Sequence, residues 1–368
     1  MHNSNHALNE KTSALKAKYD FVFSTLSLVI LIFIMLSSVK QGYPQLPDAF
    51  FKKKFMIENY NRLRVKIGDR VFPNAIVGKN GWLEYTGGNN LDDYQNAVYF
   101  SNQDLEKIAQ TINDCYQYAQ AKDIVLLLVV APNKASIYPE KLPDEIQTVS
   151  ILSRFDQLND YLKKKNIPAL LDLRPSLKKA SLKQYTYYKY GTHWNEYGAY
   201  IAYETIIKEL AENNLDITPY SSTFFRFRYI LPNDDHRSDN GIAQLMQLNF
   251  VSPEPYPFTT RNLQDFVGQI NFADEKLNYH KITWTNNDQL PTLLVFHDSF
   301  GNWGLNKFLA MNFSKASYIN REASRLFLNQ KAIEHFAPDV IIYEIVERNL
   351  NIIQDDLSGC AKEEGASK

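Results

Sequence analysis

Two short stretches of this chain carry side chains that together would make a nucleophile and its base. In "TLLVFHDSFGNWGLNKFL" (292–309), Ser299 stands where an apolar run ends and a Gly301-Asn302 turn leads into a helical pattern. In "GTHWNEYGAY" (191–200), His193 stands at the start of a second helical pattern. A serine hydroxyl is a weak nucleophile until a base within hydrogen-bond reach takes its proton. Backbone N–H groups at the turn and helix start after Ser299, around Gly301 and Asn302, would hold an oxyanion. The competing reading of Asp298-Ser299 is a plain helix cap. On spacing alone the two readings stand level.

The segments around these residues alternate in period. "SNQDLEKIAQTINDCYQYAQAKD", "ILSRFDQLNDYLKKKN", "NEYGAYIAYETIIKELAENN", "NKFLAMNF" and "NQKAIEHFA" have helical spacing of apolar residues. "IVLLLVVAP", "IPALLDLRP", "LPTLLVFHDSF", "KASYIN" and "PDVIIYEIVER" are short apolar runs, as strands buried on both faces would be. Such alternation predicts an α/β fold with an open, mostly parallel sheet between helices. Ligands bind outside the carboxyl ends of parallel strands, which is where Ser299 falls. Residues 214–290 break the rhythm with "DDHRSDNG" and "SPEPYPFTT" and read as an inserted lobe or long loops over the sheet.

Composition narrows the function. A chain of 368 residues with 40 Lys and Arg against 41 Asp and Glu offers no basic field for nucleic acid. Two cysteines, Cys115 and Cys360, are too few for a disulfide framework or a cysteine zinc site, and leave the redox compartment open. Asp234, Asp235 and His236 could suggest a metal, but a site needs three or four convergent ligands and no second cluster exists, so none is expected. The 23 Tyr and 22 Phe suit a large core or a surface that stacks on sugar rings. Residues 21–39, "FVFSTLSLVILIFIMLSSV", are uncharged and of membrane-spanning length, with Lys11, Lys16 and Lys18 upstream. This predicts a cytoplasmic tail (1–20), one uncleaved anchor (21–39), a tether (40–74), an extracytoplasmic catalytic domain (75–352) and a flexible tail (353–368).

Five blocks taken together resemble a known family. "HDSFGN" (297–302) resembles the Gly-Asp-Ser block of SGNH hydrolases, with His297 where glycine is usual. "GTHWNEYGAY" resembles the Asp-x-His-Trp block of the AlgJ and AlgX type of alginate O-acetyltransferase. "VGKNGWLEY" (77–85), "VVAPNKASIYPEKLP" (129–143) and "PDVIIYEIVERNL" (338–350) fit the same family in its order, histidine block before serine block, a circular permutation of ordinary SGNH esterases. The resemblance implies an SGNH-hydrolase-like α/β/α sandwich and an acyl-serine mechanism, with Ser299 as nucleophile and His193 as base. It implies no cofactor.

The family's acid lies two residues before the histidine, and here that position is Gly191. Three explanations compete: another carboxylate serves, with Asp172 at the end of "ALLDL" the best candidate; a dyad works with a backbone carbonyl; or the site is inactive. Glu196, three residues along the helix, should point away from the ring. Asp298 reads as a turn former, Trp194 as packing for the His193 loop and Asn195 as a helix cap. Asn80-Gly81 reads as a hairpin turn beside a packed Trp82. Lys134 reads as pocket rim, and Glu344 with Arg348 as a buried ion pair or pocket neighbours.

The resemblance implies transfer of an acetyl group to an exported or cell-envelope polysaccharide, with a separate multi-span membrane O-acyltransferase as donor. Hydrolytic removal of acetyl groups shares the same acyl-enzyme. Gly191 favours a different class, a polysaccharide-binding scaffold without catalysis.

Overall fold

The computed structural model describes residues 53–232, 238–248, 254–272, 280–324 and 328–360. The expected anchor at 21–39 lies outside the described residues, and among those described no helix is long and apolar enough to cross a membrane. The segment expected to be a tether contains a helix, Lys53–Lys66. The described residues from Asn61 onward form one compact unit.

Its centre is a seven-stranded sheet. In chain order the described strands are β1 (Val71–Phe72), β2 (Ala75–Val77), β3 (Leu83–Tyr85), β4 (Val125–Ala131), β5 (Leu171–Asp172), β6 (Phe227–Ile230), β7 (Tyr256–Thr259), β8 (Gly268–Phe272), β9 (His280–Trp284), β10 (Thr292–His297), β11 (Lys315–Asn320) and β12 (Val340–Val346). The large sheet runs β5-β4-β12-β10-β11-β9-β8. The first five strands are mutually parallel, and β9 pairs antiparallel with both β11 and β8.

Strand β4 shows why the order is a sandwich. Its sequence VLLLVVA has no polar face, because both faces are covered. Leu126, Leu128 and Val130 pack with the helices Asn102–Gln120 and Arg154–Lys164, whereas Leu127, Val129 and Ala131 pack with the helix Glu196–Glu212. The first helix buries Leu105, Ile108, Ala109, Ile112 and Cys115, a stripe at helical spacing. Ser101 and Asp104 close its start as a reciprocal capping box.

The structure departs from the sequence-based expectation in three places. The run "IPALLDLRP" yields only the two-residue edge strand β5. The 214–290 segment is not only loops over the sheet: it supplies β8 and β9, which extend the sheet, and the antiparallel pair β6–β7. The tail does not begin at 353. Ile353–Leu357 is helical, and Cys360 is disulfide-bonded to Cys115 across 245 residues of sequence. "VGKNGWLEY" does form a hairpin between β2 and β3, with Asn80 at φ 54° and Trp82 buried against Tyr138.

Candidate active site

Ser299 is half-buried and begins a helical turn two residues after β10 ends, at the carboxyl rim of the sheet. The turn that carries it is braced from below. Asp298 is fully buried; its Oδ1 accepts from Phe300 N–H at 2.8 Å and its Oδ2 from Val346 N–H at 2.8 Å. Glu344 accepts from Asp298 N–H at 3.1 Å, and burial holds its carboxyl well above the usual range. Asp298 is therefore the turn former expected from the sequence. Glu344 braces this turn instead of pairing with Arg348, whose guanidinium meets Asn133 Oδ1 at 3.3 Å and lies 5.7 Å from the Phe300 ring centroid.

His297, where a glycine is usual, is a structural residue. Its Nδ1–H donates to Asp298 O at 2.6 Å and Asn306 Nδ2 donates to its Nε2 at 3.1 Å. Burial pushes its imidazole down to about 4, so it stays neutral. A Cβ at Gly301 would fall 2.5 Å from the His297 ring. The imidazole thus occupies space that any side chain at Gly301 would need. Gly301 is buried and Asn302 exposed in the turn directly after Ser299.

His193 arrives from the opposite side. Asn195 caps the helix Glu196–Glu212, its Oδ1 accepting from Tyr197 and Gly198 N–H at 3.0 Å. Trp194 is buried and donates through Nε1 to Phe300 O at 3.2 Å, tying the histidine segment to the serine turn. The rings of His193 and Trp303 stack at 5.1 Å between centroids. His193 Nε2 then lies 3.0 Å from Ser299 Oγ.

At the other ring nitrogen the structure corrects the sequence reading. His193 Nδ1 meets Asp239 Oδ2 at 2.7 Å. Asp172 is elsewhere, in a fork with Arg174: Nε donates to Oδ1 at 3.0 Å and Nη2 to Oδ2 at 2.8 Å. A carboxylate two residues before an arginine that opens a helix finds that local partner first. Asp239 instead comes from the inserted segment and replaces the missing acid in space. A Cβ on Gly191 would fall 2.1 Å from Asp239 Cγ. The glycine is the gap through which the carboxylate enters.

Asp239 Oδ2 also accepts from Thr192 and His193 N–H at 2.8 and 3.0 Å, and Oδ1 accepts from Gly241 N–H at 2.8 Å. Burial opposes its ionisation, but the hydrogen bond and charge of His193, with these backbone donors, outweigh it and hold the carboxyl at about 2. It is an anion at every working pH. The imidazole must then keep its proton on Nδ1, which leaves Nε2 to accept from Ser299.

Lys134, expected at the pocket rim, is buried. Its ammonium donates to Gly191 O at 2.6 Å, to Tyr188 O at 3.3 Å and to Leu83 O, so it pins the segment that carries His193. Burial lowers its pKa, with Glu84 and Asp239 acting against that. Glu196 does turn away from the imidazole, forming an ion pair with Lys307. Asp234, Asp235 and His236 lie outside the described residues. Among the described residues no cluster of His, Cys, Asp and Glu is arranged to hold a metal. Sequence reasoning missed Asp239, although Gly191 in an acid's position was the signal that a carboxylate from elsewhere had to fit there.

Residues 75–267, more than half of the chain, match the family described as "SGNH hydrolase-like domain, acetyltransferase AlgX". That stretch carries His193 and Asp239, and Ser299 follows it. Over 184 residues the chain is 28% identical to the probable alginate O-acetylase AlgJ of Pseudomonas fluorescens, covering 49% of this chain and 43% of that protein. It thus spans less than half of that relative's length. Among solved structures, Bacillus cereus PatB1 superimposes over 77% of this chain and 98% of its own at TM-score 0.53 and 16% identity. A DHHW family protein from Eubacterium siraeum covers 79% and 96% at TM-score 0.52 and 15% identity. At such identities the likeness is one of fold.

Proposed function

Since the chain belongs to the SGNH hydrolase-like acetyltransferase AlgX domain family, we propose that it moves an acetyl group through an acyl-serine intermediate onto a hydroxyl of an exported or cell-envelope polysaccharide. One observation carries the reading: Ser299 Oγ, His193 Nε2 at 3.0 Å and His193 Nδ1 to buried Asp239 at 2.7 Å form a continuous nucleophile–base–acid relay.

The chemistry follows from the tautomer. Ser299 Oγ bonds to the acetyl carbonyl carbon as its proton passes to His193 Nε2. The anionic Asp239 stabilises the resulting imidazolium without itself taking the proton. The tetrahedral oxyanion sits against the backbone N–H groups that open the turn, from Ser299 toward Gly301 and Asn302. Collapse breaks the bond to the donor's alcohol oxygen, which leaves with the proton from Nε2. A sugar hydroxyl then gives its proton to Nε2 while attacking the acyl-serine, and collapse frees Ser299 Oγ with that proton. Water in place of the sugar makes the same site an acetylesterase.

The case for a non-catalytic scaffold rested on Gly191, and Asp239 in that space removes its support. We also place residues 21–39 across the membrane, with the N-terminus cytoplasmic and the catalytic unit outside, beside a multi-span acyl donor. The Cys115–Cys360 disulfide fits an oxidising compartment. The test is acetyl release from p-nitrophenyl acetate by the purified full chain in detergent, with mass spectrometry of the trapped acyl-enzyme. Acetyl on the peptide that holds Ser299, lost in Ser299→Ala and His193→Ala, is the expected result. No activity above the Ser299→Ala background in folded protein would return the scaffold reading.

A further inference from the structure

The turn that follows Ser299 is wider than a turn of α-helix. Asn306 N–H bonds to Gly301 O, five residues back instead of four. Inside it the backbone leaves the helical region twice, at Trp303 (φ −83°, ψ 52°) and at Gly304 (φ 103°). Glycine reaches such a φ without the strain that a side chain imposes. It also lets the turn press against the helix Glu196–Glu212, because a Cβ at Gly304 would fall 2.9 Å from Ala199 Cβ. An inserted residue of this kind re-aims the side chains around it, and such turns recur at functional sites.

The side chain so aimed is an indole. Trp303 is half-buried, and its ring stacks on the His193 imidazole with 22° between the planes. Phe300 meets the same imidazole at 4.8 Å, tilted by 59°. The buried Tyr188 ring packs against the indole at 5.6 Å and is met in turn by Tyr256 at 5.1 Å. The imidazole is thus engaged in its plane by Asp239 and Ser299 and on its face by Trp303. Only 12% of the His193 side chain is exposed, so little water competes for the ring. A neutral imidazole gains little from an indole face beyond packing, whereas an imidazolium is drawn to it by the ring quadrupole. The proton that leaves Ser299 converts the first into the second. The contact therefore strengthens on the way to the transition state, which is what an interaction must do to raise kcat instead of only lowering KM.

We infer that Trp303 is a positioning residue of this site: its indole face fixes the plane of the His193 ring and stabilises the imidazolium that forms as Ser299 loses its proton. The inference rests on the acyl-serine reading. The wide turn and Gly304 then have a purpose, which is to bring an aromatic face over the base four residues after the nucleophile. Asp239 meets the same charge from the ring's edge, so the two contacts act on one cation from different directions.

Fluorinated tryptophan tests it, since each fluorine withdraws charge from the indole face while nearly keeping its shape. The full chain in detergent is made with mono-, di- and trifluorotryptophan at its four tryptophans, and acetyl release from p-nitrophenyl acetate is measured. The expected result is a stepwise fall in kcat along the series, with KM within about twofold. The same series in Trp303→Phe should be flat, which assigns the effect to position 303. Trp303→Phe, which keeps an aromatic face, should stay within about threefold of wild type. Trp303→Leu, which keeps only apolar volume, should lose about five- to thirtyfold in kcat. If Trp303→Leu fails to fold, the fluorinated series in the native sequence decides. A flat series in an active native chain, or equal losses in folded Trp303→Phe and Trp303→Leu, overturns the proposal and leaves the acyl-serine reading standing. No acetyl release above the Ser299→Ala background removes that reading, and this inference with it.

Discussion

Replacing Asp239 by asparagine is the most direct challenge to the relay. The carboxylate now accepts four hydrogen bonds, three at Oδ2 and one at Oδ1. An amide has one acceptor oxygen. If that oxygen keeps the three donors at the Oδ2 position, its NH₂ is driven against Gly241 N–H. If it serves Gly241, the NH₂ faces Thr192 N–H, His193 N–H and Nδ1–H, and His193 escapes only by moving its proton to Nε2. In that tautomer Nε2 donates to Ser299 and takes no proton from it. Losing the acid of a serine triad this way costs about 10⁴ in kcat, or roughly 5 kcal/mol of barrier.

Stability changes as well. Against burial, the hydrogen bond and charge of His193, with the backbone donors, hold the folded carboxyl at about 2, below the ordinary aspartate value of 3.8. This depressed pKa contributes stability that is fully present above pH ~4 and is lost as pH falls through ~2. The gap corresponds to about 2 kcal/mol, which Asp239→Asn forfeits at neutral pH. Acetyl release measured beside urea unfolding separates the two effects: a 10³- to 10⁴-fold loss of kcat in protein that remains folded. An Asp239→Asn enzyme within threefold of wild type would refute the assignment of the acid.

Asp172→Asn should leave kcat within about threefold, and cost no more than about 1 kcal/mol, because its ion pair with Arg174 is partly solvated; a loss matching that of Asp239→Asn would put the acid back at 172. Cys115→Ser, or reduction of the native chain, should lower the thermal midpoint while leaving acetyl release at 25 °C intact. The bridge closes 245 residues, for which chain entropy sets a ceiling of about 5 kcal/mol. An unchanged midpoint on reduction would mean that the bond does not form. Lys134→Met should strand the carbonyls of Leu83, Tyr188 and Gly191, destabilise by about 2 kcal/mol or more in urea, and lower kcat by loosening the His193 segment. Full activity with unchanged stability would show the ammonium to be dispensable.

The parts legible in the sequence share one property: their cause is local. β4, β10 and β12 are apolar on both faces because both faces are covered, and the order of strands and helices then dictates the sandwich. Ser299 and His193 stand at a strand end and a helix start, local signals that leave the catalytic reading level with a plain helix cap; the resemblance of five blocks to a family decided between them. β8 and β9 left no such signal, since antiparallel strands at a sheet edge lack the continuous apolar run that marks a buried one. The disulfide was invisible for a related reason: Cys115 and Cys360 are brought together by the whole fold between them.

Asp239 is the sharpest case. In "SDNG" it has no signature, because its role is made by contact with residues nearly fifty positions away. The negative image of that contact was nonetheless in the sequence as Gly191. A Cβ there would lie 2.1 Å from Asp239 Cγ and 2.5 Å from Asp239 O. An acid at 191 and an acid at 239 are therefore mutually exclusive, and deleting the Asp239 side chain would not relieve the clash with its backbone. Gly191→Asp, which restores the residue usual in the family, should for that reason reduce activity here instead of raising it. The glycine that seemed to mark a lost triad is the space in which the other acid sits.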